Sequence, residues 1–314
     1  MQHSNLIVSS LKQNIATVVV GKDEAVELLL IALLCEGHVL IEDVPGVGKT
    51  TLCSALARSL SCSFKRIQFT PDITPSDITG YTIPSLKGEM QYRQGAIMSQ
   101  IVLADEINRT SPKTQSALLE VMEERQVTVD GVTYPLARPF MVLATQNPVD
   151  FVGTYPLPEA QMDRFFMRIS IGYPSLEDEM EILDRYCGVT SPMQTLSAVC
   201  TAEDVLAMQH QVKQVYCSKE VRAYVAAICA ATRNTPHLAL GASTRAAIAL
   251  VHAAQANALL CGRDYIIPED VQRMAQSVLC HRLVLSADVR MHGYSASDML
   301  ARLLSDVRVP VRLK

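Results

Sequence analysis

The chain has 314 residues, 49% of them apolar and 19% charged, with a formal net charge of −4. Its length permits two domains or one large one around a sizeable core. The acidic balance argues against broad electrostatic binding of nucleic acid, and 5% aromatics with no tryptophan argues against base-stacking platforms. Nine scattered cysteines form no Cys-x-x-Cys pair, as expected of reduced thiols in a cytosolic protein. The N-terminus has no signal-peptide pattern. The longest apolar block, residues 28–35, is far shorter than the roughly twenty residues of a membrane span. A soluble, cytoplasmic protein is expected.

Residues 4–16 read as a short amphipathic helix, broken at Val18-Val19-Val20-Gly21-Lys22. Asp23 is expected to cap a second helix running through Leu34. An apolar run at 38–41, the segment Val44-Pro45-Gly46-Val47-Gly48-Lys49-Thr50 and an apolar-rich stretch at 52–57 read as strand, glycine loop and helix. Residues 64–69 read as a strand, and 89–93 as one arm of a small hairpin. Residues 101–106 form a buried-type strand ending in Asp105 and Glu106. Pro112 opens a helix through Glu124, and Asp130-Gly131 marks the turn of a hairpin at 127–134. Two more apolar strands are expected at 140–145 and 167–171. Strands alternating with helices imply a parallel α/β sheet. Beyond about residue 173 the chain reads as nearly all helical, so a boundary is placed at 172, with an α/β core over 1–172 and a helical domain over 173–314.

In a strand–loop–helix setting, Gly-Lys-Thr has one dominant chemical use, which is holding a nucleoside triphosphate. Glycine N–H groups close around phosphate oxygens, and the helix N-terminus adds partial positive charge. The candidate binding residues are Pro45, Gly46, Val47, Gly48, Lys49, Thr50 and Thr51, with Lys49 reaching the outer phosphates and Thr50 ligating Mg2+. The usual pattern begins with glycine where this chain has Asp43, and a flexible turn opening a helix is the alternative.

Asp105 at a strand tip can hold the metal through water, and Glu106 beside it can orient or deprotonate an attacking water. Two solvated acids ending a strand are the bland alternative, which the nearby glycine loop disfavours. Asn147 ends the next buried strand, at the same sheet edge, where it meets a γ-phosphate or the attacking water, or else serves as a turn residue before Pro148. No Asn-Lys-x-Asp segment is present to read guanine, so ATP is the expected nucleotide.

Asp-Glu at one strand tip and Asn at the next resemble the AAA+ ATPases. The longer strings Glu42–Thr50, Phe69–Gly80, Leu103–Arg109, Ser116–Thr128 and Pro156–Phe165 resemble the MoxR family of AAA+ proteins, over essentially the whole chain. Asp43 is itself common in such loops. The resemblance implies an AAA+ P-loop core, a doubly wound parallel sheet, followed by an all-α lid. It implies that Arg164, in Asp163-Arg164-Phe165, is an arginine finger reaching the neighbouring subunit's γ-phosphate, with an ion pair of Asp163 to another base as the alternative. Arg109 is a second candidate for an intersubunit role. Arg245, in Gly241-Ala242-Ser243-Thr244-Arg245, matches the sensor-2 arginine and is expected at the nucleotide of its own subunit, although Thr244 stands where the family has proline. Val20 and Gly21 match the segment beside adenine. Residues 81–94 and 127–134 match two inserts that the family shares with magnesium-chelatase subunits.

The implied activity is Mg2+-dependent ATP hydrolysis in a homo-oligomeric ring, most often a hexamer. It would drive chaperone-like remodelling of a protein client, often one carrying a von Willebrand factor A domain. No obligate nucleic acid is expected. Three rivals are a magnesium-chelatase-type motor subunit, a nucleic-acid-associated motor and a nucleotide-gated scaffold that does not hydrolyse ATP. The second lacks support, because neither a Gly-Ala-Phe-Thr-Gly-Ala loop nor a helix-turn-helix domain is visible.

Overall fold

The computed structural model describes residues 2–85, 89–148, 153–187 and 192–310. Helices α1 (Gln2–Ala16) and α2 (Asp23–Leu34) precede strand β1 (Val39–Glu42). Asp23 is the first residue of α2, with Lys22 at the cap and no side-chain capping bond. The expected capping role therefore gives way to a first-turn acid that interacts with the helix dipole. Helix α3 (Lys49–Ser59) follows β1 and leads to β2 (Phe64–Gln68). A short helix α4 (Pro75–Thr79) opens the hairpin of β3 (Gly80–Pro84) and β4 (Met90–Gln94), and residues 86–88 of that insert lie outside the described residues. Next come β5 (Ile101–Asp105), α5 (Pro112–Glu124), the hairpin of β6 (Gln126–Val129) and β7 (Val132–Pro135), then β8 (Met141–Gln146), α6 (Glu159–Met162) and β9 (Met167–Ile169).

Five strands form one sheet in the order β2-β5-β8-β1-β9, every pair parallel. The apolar runs that look continuous in sequence divide with period two. Met141 and Leu143 of β8 join Ile101 and Leu103 of β5 and Ile41 of β1 in one cluster, with α1, α2 and α3. Val142, Ala144, Val102, Ala104 and Leu40 join the opposite cluster, with α5. Helices cover both faces, which explains why the inner strands β1, β5 and β8 carry no polar face, whereas the edge strand β2 does.

The C-terminal part contains α7 (Leu176–Tyr186), α8 (Pro192–Thr195), α9 (Ala202–Gln214), α10 (Lys219–Asn234), α11 (Thr244–Leu260), α12 (Pro268–Leu279), α13 (Ala287–Met291) and α14 (Ala296–Asp306). A small antiparallel ribbon of β10 (Leu238–Leu240) and β11 (Val284–Leu285) accompanies them. Ser243 caps α11 by accepting a hydrogen bond from the Ala246 N–H at 3.1 Å. Buried alanines 246, 249, 253, 254, 256 and 258 give α11 a small-residue surface, against which α12 packs closely. Apart from α7, these helices share one apolar cluster with α1–α3 and the sheet, so the core is continuous across residue 172.

The two insert hairpins form a single unit. The Tyr92 and Tyr134 rings stack at 4.1 Å and 15°, and the Thr82 hydroxyl donates to Asp130.

Candidate active site

A parallel sheet has two chemically distinct ends. At the carboxyl end of β1 the chain turns through Gly46 (φ 90°) and Gly48 (φ 86°) into α3. Both are in the left-handed region that glycine adopts without strain. A Cβ placed on either would meet no atom within 4 Å, so the loop's backbone borders open space, as a phosphate cradle must. Lys49 has its ammonium on the Asp43 carbonyl at 2.8 Å. Asp43 is buried, and its carboxylate accepts from the Ile171 N–H, the Ser170 hydroxyl (3.0 Å) and the Gly172 N–H (3.2 Å). The acid in place of the usual glycine thus ties the start of the loop to the segment after β9.

Beside the loop is a cavity of about 300 Å³, lined by Val20, Lys22, Gly46, Val47, Gly48 and Thr51 and closed by Ile171, Pro174, Ile182 and Tyr186. Its walls are mainly apolar with the polar loop at one side, which suits a base joined to a phosphate chain. Of the expected contacts, Val20, Gly46, Val47, Gly48 and Thr51 line it, while Pro45, Lys49, Thr50 and Asp105 do not. Gly21 (φ 67°) lies behind it, where a Cβ would meet the Asp178 carboxylate at 2.2–2.5 Å. Ile182 and Tyr186 of α7 had no signal in the sequence beyond helical amphipathicity.

Asp105 and Asn147, both buried, are on the same carboxyl edge, at the ends of β5 and β8. The Thr145 hydroxyl donates to Asp105 Oδ1 at 2.6 Å, and Thr145 Oγ1 in turn accepts from the Glu106 N–H at 2.9 Å. Arg66 on β2 donates to Asp105 Oδ2 from Nε and Nη2, and to Gln68 Oε1 from Nη2. Gln68 then donates to Glu106 Oε2 at 2.9 Å, and Arg109 pairs with the same oxygen at 3.3 Å. Glu106 has left-handed backbone (φ 59°, ψ 49°), which swings its side chain away from Asp105 toward Gln68. Arg66 and Gln68 were missed in the sequence, although their i, i+2 spacing on a strand puts them on one face.

Thr50 and Asp105 offer the hard oxygen donors that Mg2+ takes. Among the described residues no group of three or more His, Cys, Asp or Glu side chains could hold a metal alone. A metal here needs phosphate oxygens as further ligands, and that is the pattern of nucleotide sites.

Arg164 and Arg245 are elsewhere. Both pair with Glu123 at the end of α5, Arg164 Nε at 3.3 Å and Arg245 Nη2 at 2.9 Å. They line a separate cavity of about 350 Å³ with Gly37, His38 and Phe166, residues that precede β1 and β9. This is the amino edge of the sheet. The chain from His38 through the four residues of β1 to Asp43, at about 3.3 Å per residue, sets it on the order of 15 Å from the start of the glycine loop.

The expected contact of Arg245 with its own subunit's nucleotide does not fit this placement. Its position follows from how α11 docks. The Ser243 hydroxyl reaches Asp163 at 3.3 Å, and the buried Arg282 donates to Asp163 at 2.7 Å and to the Phe165 carbonyl at 2.7 Å. Asp163 therefore pairs with Arg282, leaving Arg164 to Glu123.

A glycine loop opening a helix at the carboxyl edge, with an Asp-Glu strand tip and a polar strand tip beside it, defines a P-loop nucleotide-binding protein of the AAA+ type. Residues 38–167 match the family described as "ATPase family associated with various cellular activities (AAA)", and residues 230–303 match the AAA lid domain. Chaperone MoxR1 of Mycobacterium tuberculosis is 43% identical over 93% of this chain and 80% of its own length. The uncharacterised protein YeaC of Bacillus subtilis is 51% identical over 96% of this chain and 94% of its own. The crystal structure of a candidate ATPase from Cytophaga hutchinsonii superposes with a TM-score of 0.93 at 38% identity, covering 99% of this chain and 97% of that one. The chain belongs to the MoxR family of AAA+ ATPases. No helix among the described residues is long and apolar enough to cross a membrane.

Proposed function

We propose that the protein hydrolyses ATP with Mg2+ at sites shared between neighbouring copies in a ring, and that the cycle remodels a protein client. The observation that carries this reading is the separation of Lys49, Asp105 and Glu106 at one sheet edge from Arg164 and Arg245 at the other. Five parallel strands are too long for one chain to close that gap, whereas a head-to-tail copy closes it directly.

Lys49 leaves the Asp43 carbonyl for the outer phosphates. Thr50 and Asp105 hold the metal, which neutralises phosphate charge when bound. Glu106 orients and deprotonates the attacking water from its seat on Gln68 and Arg109. Asn147 receives the γ-phosphate. Arg164 stabilises charge on the phosphoryl group held by the next copy, an effect of about 10³–10⁵ in rate for such arginines. Arg245, sharing Glu123 with it, acts on that same neighbour rather than on its own subunit. A six-membered ring, a client with a von Willebrand factor A domain and a cytoplasmic location complete the reading by family likeness.

Mixing two inactive proteins tests it. Arg164→Ala and Lys49→Ala each remove one half of a shared site, and each is expected to be nearly inactive alone. Mixed in equal amounts they regain part of the turnover, because some interfaces pair two intact halves. Co-assembly without any regained turnover would overturn the shared site.

A further inference from the structure

Helix α7 buries none of its residues. Leu176, Met180 and Leu183, spaced i, i+4 and i+7, form one stripe that is 76%, 60% and 59% exposed, and Tyr173 extends it. Polar contacts anchor the helix instead. Arg185 donates to the Ala16 and Thr17 carbonyls at 2.7 and 2.8 Å, and Lys22 donates to the Tyr173 carbonyl at 2.9 Å. Another face of α7 closes the nucleotide cavity through Ile182 and Tyr186. The stripe therefore borders the nucleotide site and faces away from its own core.

A complementary patch lies on the other edge. Ile248, one turn beyond Arg245 on α11, is 54% exposed, and Leu240 just before that helix is 51% exposed. The arginine that has to reach a neighbour's phosphate is thus flanked by apolar side chains on the same surface. Charge agrees with shape. Exposed acids Glu177, Glu181 and Asp184 flank the α7 stripe, whereas Arg164 and Arg245 share a single acid, Glu123.

We propose that the α7 stripe is covered by a second copy of this chain, whose Leu240 and Ile248 pack on Leu176, Met180 and Leu183 when its arginines enter the nucleotide site. The proposal rests on the shared-site reading and names the surfaces that make it. Such a contact is heterologous, with different faces on the two partners, so repetition builds a head-to-tail array that closes into a ring when the rotation between copies divides a full turn. Burying a stripe of this kind also explains why a soluble chain exposes it, since contiguous apolar patches mark interaction sites.

The test uses the full-length protein and sedimentation velocity with saturating ATP and Mg2+. Met180→Glu/Leu183→Glu breaks one face and Ile248→Glu breaks the other. Each variant is expected to sediment as a monomer, to keep the circular dichroism spectrum of the parent and to bind a fluorescent ATP analogue within about twofold of it, since neither face lies in the nucleotide cavity.

Mixing the two variants yields a discrete heterodimer, because each supplies one intact face and caps the other. The milder Met180→Gln/Leu183→Gln protein is expected to weaken assembly severalfold if the glutamates unfold the helix. Parent-like assembly of either folded variant, as expected if a client or a membrane covers the stripe, overturns the proposal, as does a mixture that stays monomeric. Assembly is read without hydrolysis, so a parent that forms rings but does not turn over ATP refutes the hydrolytic reading alone.

Discussion

Arg66 donates to Asp105 Oδ2 from both Nε and Nη2, at 3.1 and 2.6 Å, placing a fixed cation on the carboxylate expected to hold the metal. Thr145 occupies the other oxygen of the same carboxylate. A divalent ion approaching Asp105 has to compete with the guanidinium, and Arg66 also steadies Gln68, on which Glu106 rests. Arg66 is nearly half exposed, so the ion pair contributes at most about 1 kcal/mol. Arg66→Ala is therefore expected to lower the Mg2+ concentration for half-maximal nucleotide binding by up to about fivefold. Titrating Mg2+ against a fluorescent nucleotide measures this, and an unchanged midpoint would exclude competition.

Glu106 loses the Arg66–Gln68 support in that variant, so the maximal hydrolysis rate is expected to fall even as the metal binds more tightly. The two effects separate the roles of Arg66, because an ordinary surface arginine would change neither. A variant with a lower rate and an unaltered Mg2+ midpoint would restrict Arg66 to supporting Glu106.

What the sequence made legible was local. Gly46, Gly48 and Lys49 declare themselves because a phosphate loop is built from contiguous residues, and β5 and β8 do because both of their faces are buried. Asp43 looked like a departure from pattern because its partners, Ser170 to Gly172, lie 127 to 129 positions away. Arg245, expected at its own subunit's nucleotide, pairs with Glu123 instead for the same reason. Its location depends on Ser243 and Arg282 meeting Asp163 across 80 and 119 positions, and no local pattern encodes that docking. The β10–β11 ribbon escaped notice because strands of two or three residues are too short to show a period.

Arg282 is the buried fastener of that docking. Its side chain is 3% exposed and serves Asp163 together with the carbonyls of Phe165 and Phe166, the residues on either side of Arg164 and just beyond it. Asp163 is 24% exposed and keeps the Ser243 hydroxyl, so Arg282→Ala, which leaves it and the Phe165 carbonyl without the guanidinium, is expected to cost about 2–3 kcal/mol in urea unfolding. Removing Asp163 as well is expected to cost clearly less than the sum of the two single changes. Additive losses would show that the pair does not act as a unit.

His38 couples this amino edge to acid. It is buried, its Nδ1 accepts from the Val142 N–H at 2.9 Å, and its Nε2 therefore donates to the Met122 carbonyl at 3.0 Å. Burial pushes its pKa down to about 4. Burial and the charge of Arg282 also push His281 down. A histidine whose folded pKa lies below its unfolded value, near 6.5, contributes fully above that pH and loses the contribution as the pH falls toward 4.

Unfolding free energy is therefore expected to be flat between pH 7 and 8 and to drop below 6.5, with His38 alone accounting for up to roughly 3 kcal/mol by pH 4. Glu36 separates from this window. Burial raises its pKa, but Lys213 and Arg125 outweigh that and hold it lowered, so its contribution fades only below about pH 4.5. His38→Gln is expected to be less stable at pH 7.5 but to lose less between 6.5 and 4.5, as read by urea unfolding at each pH. Parallel curves for the two proteins would assign the acid sensitivity to other groups.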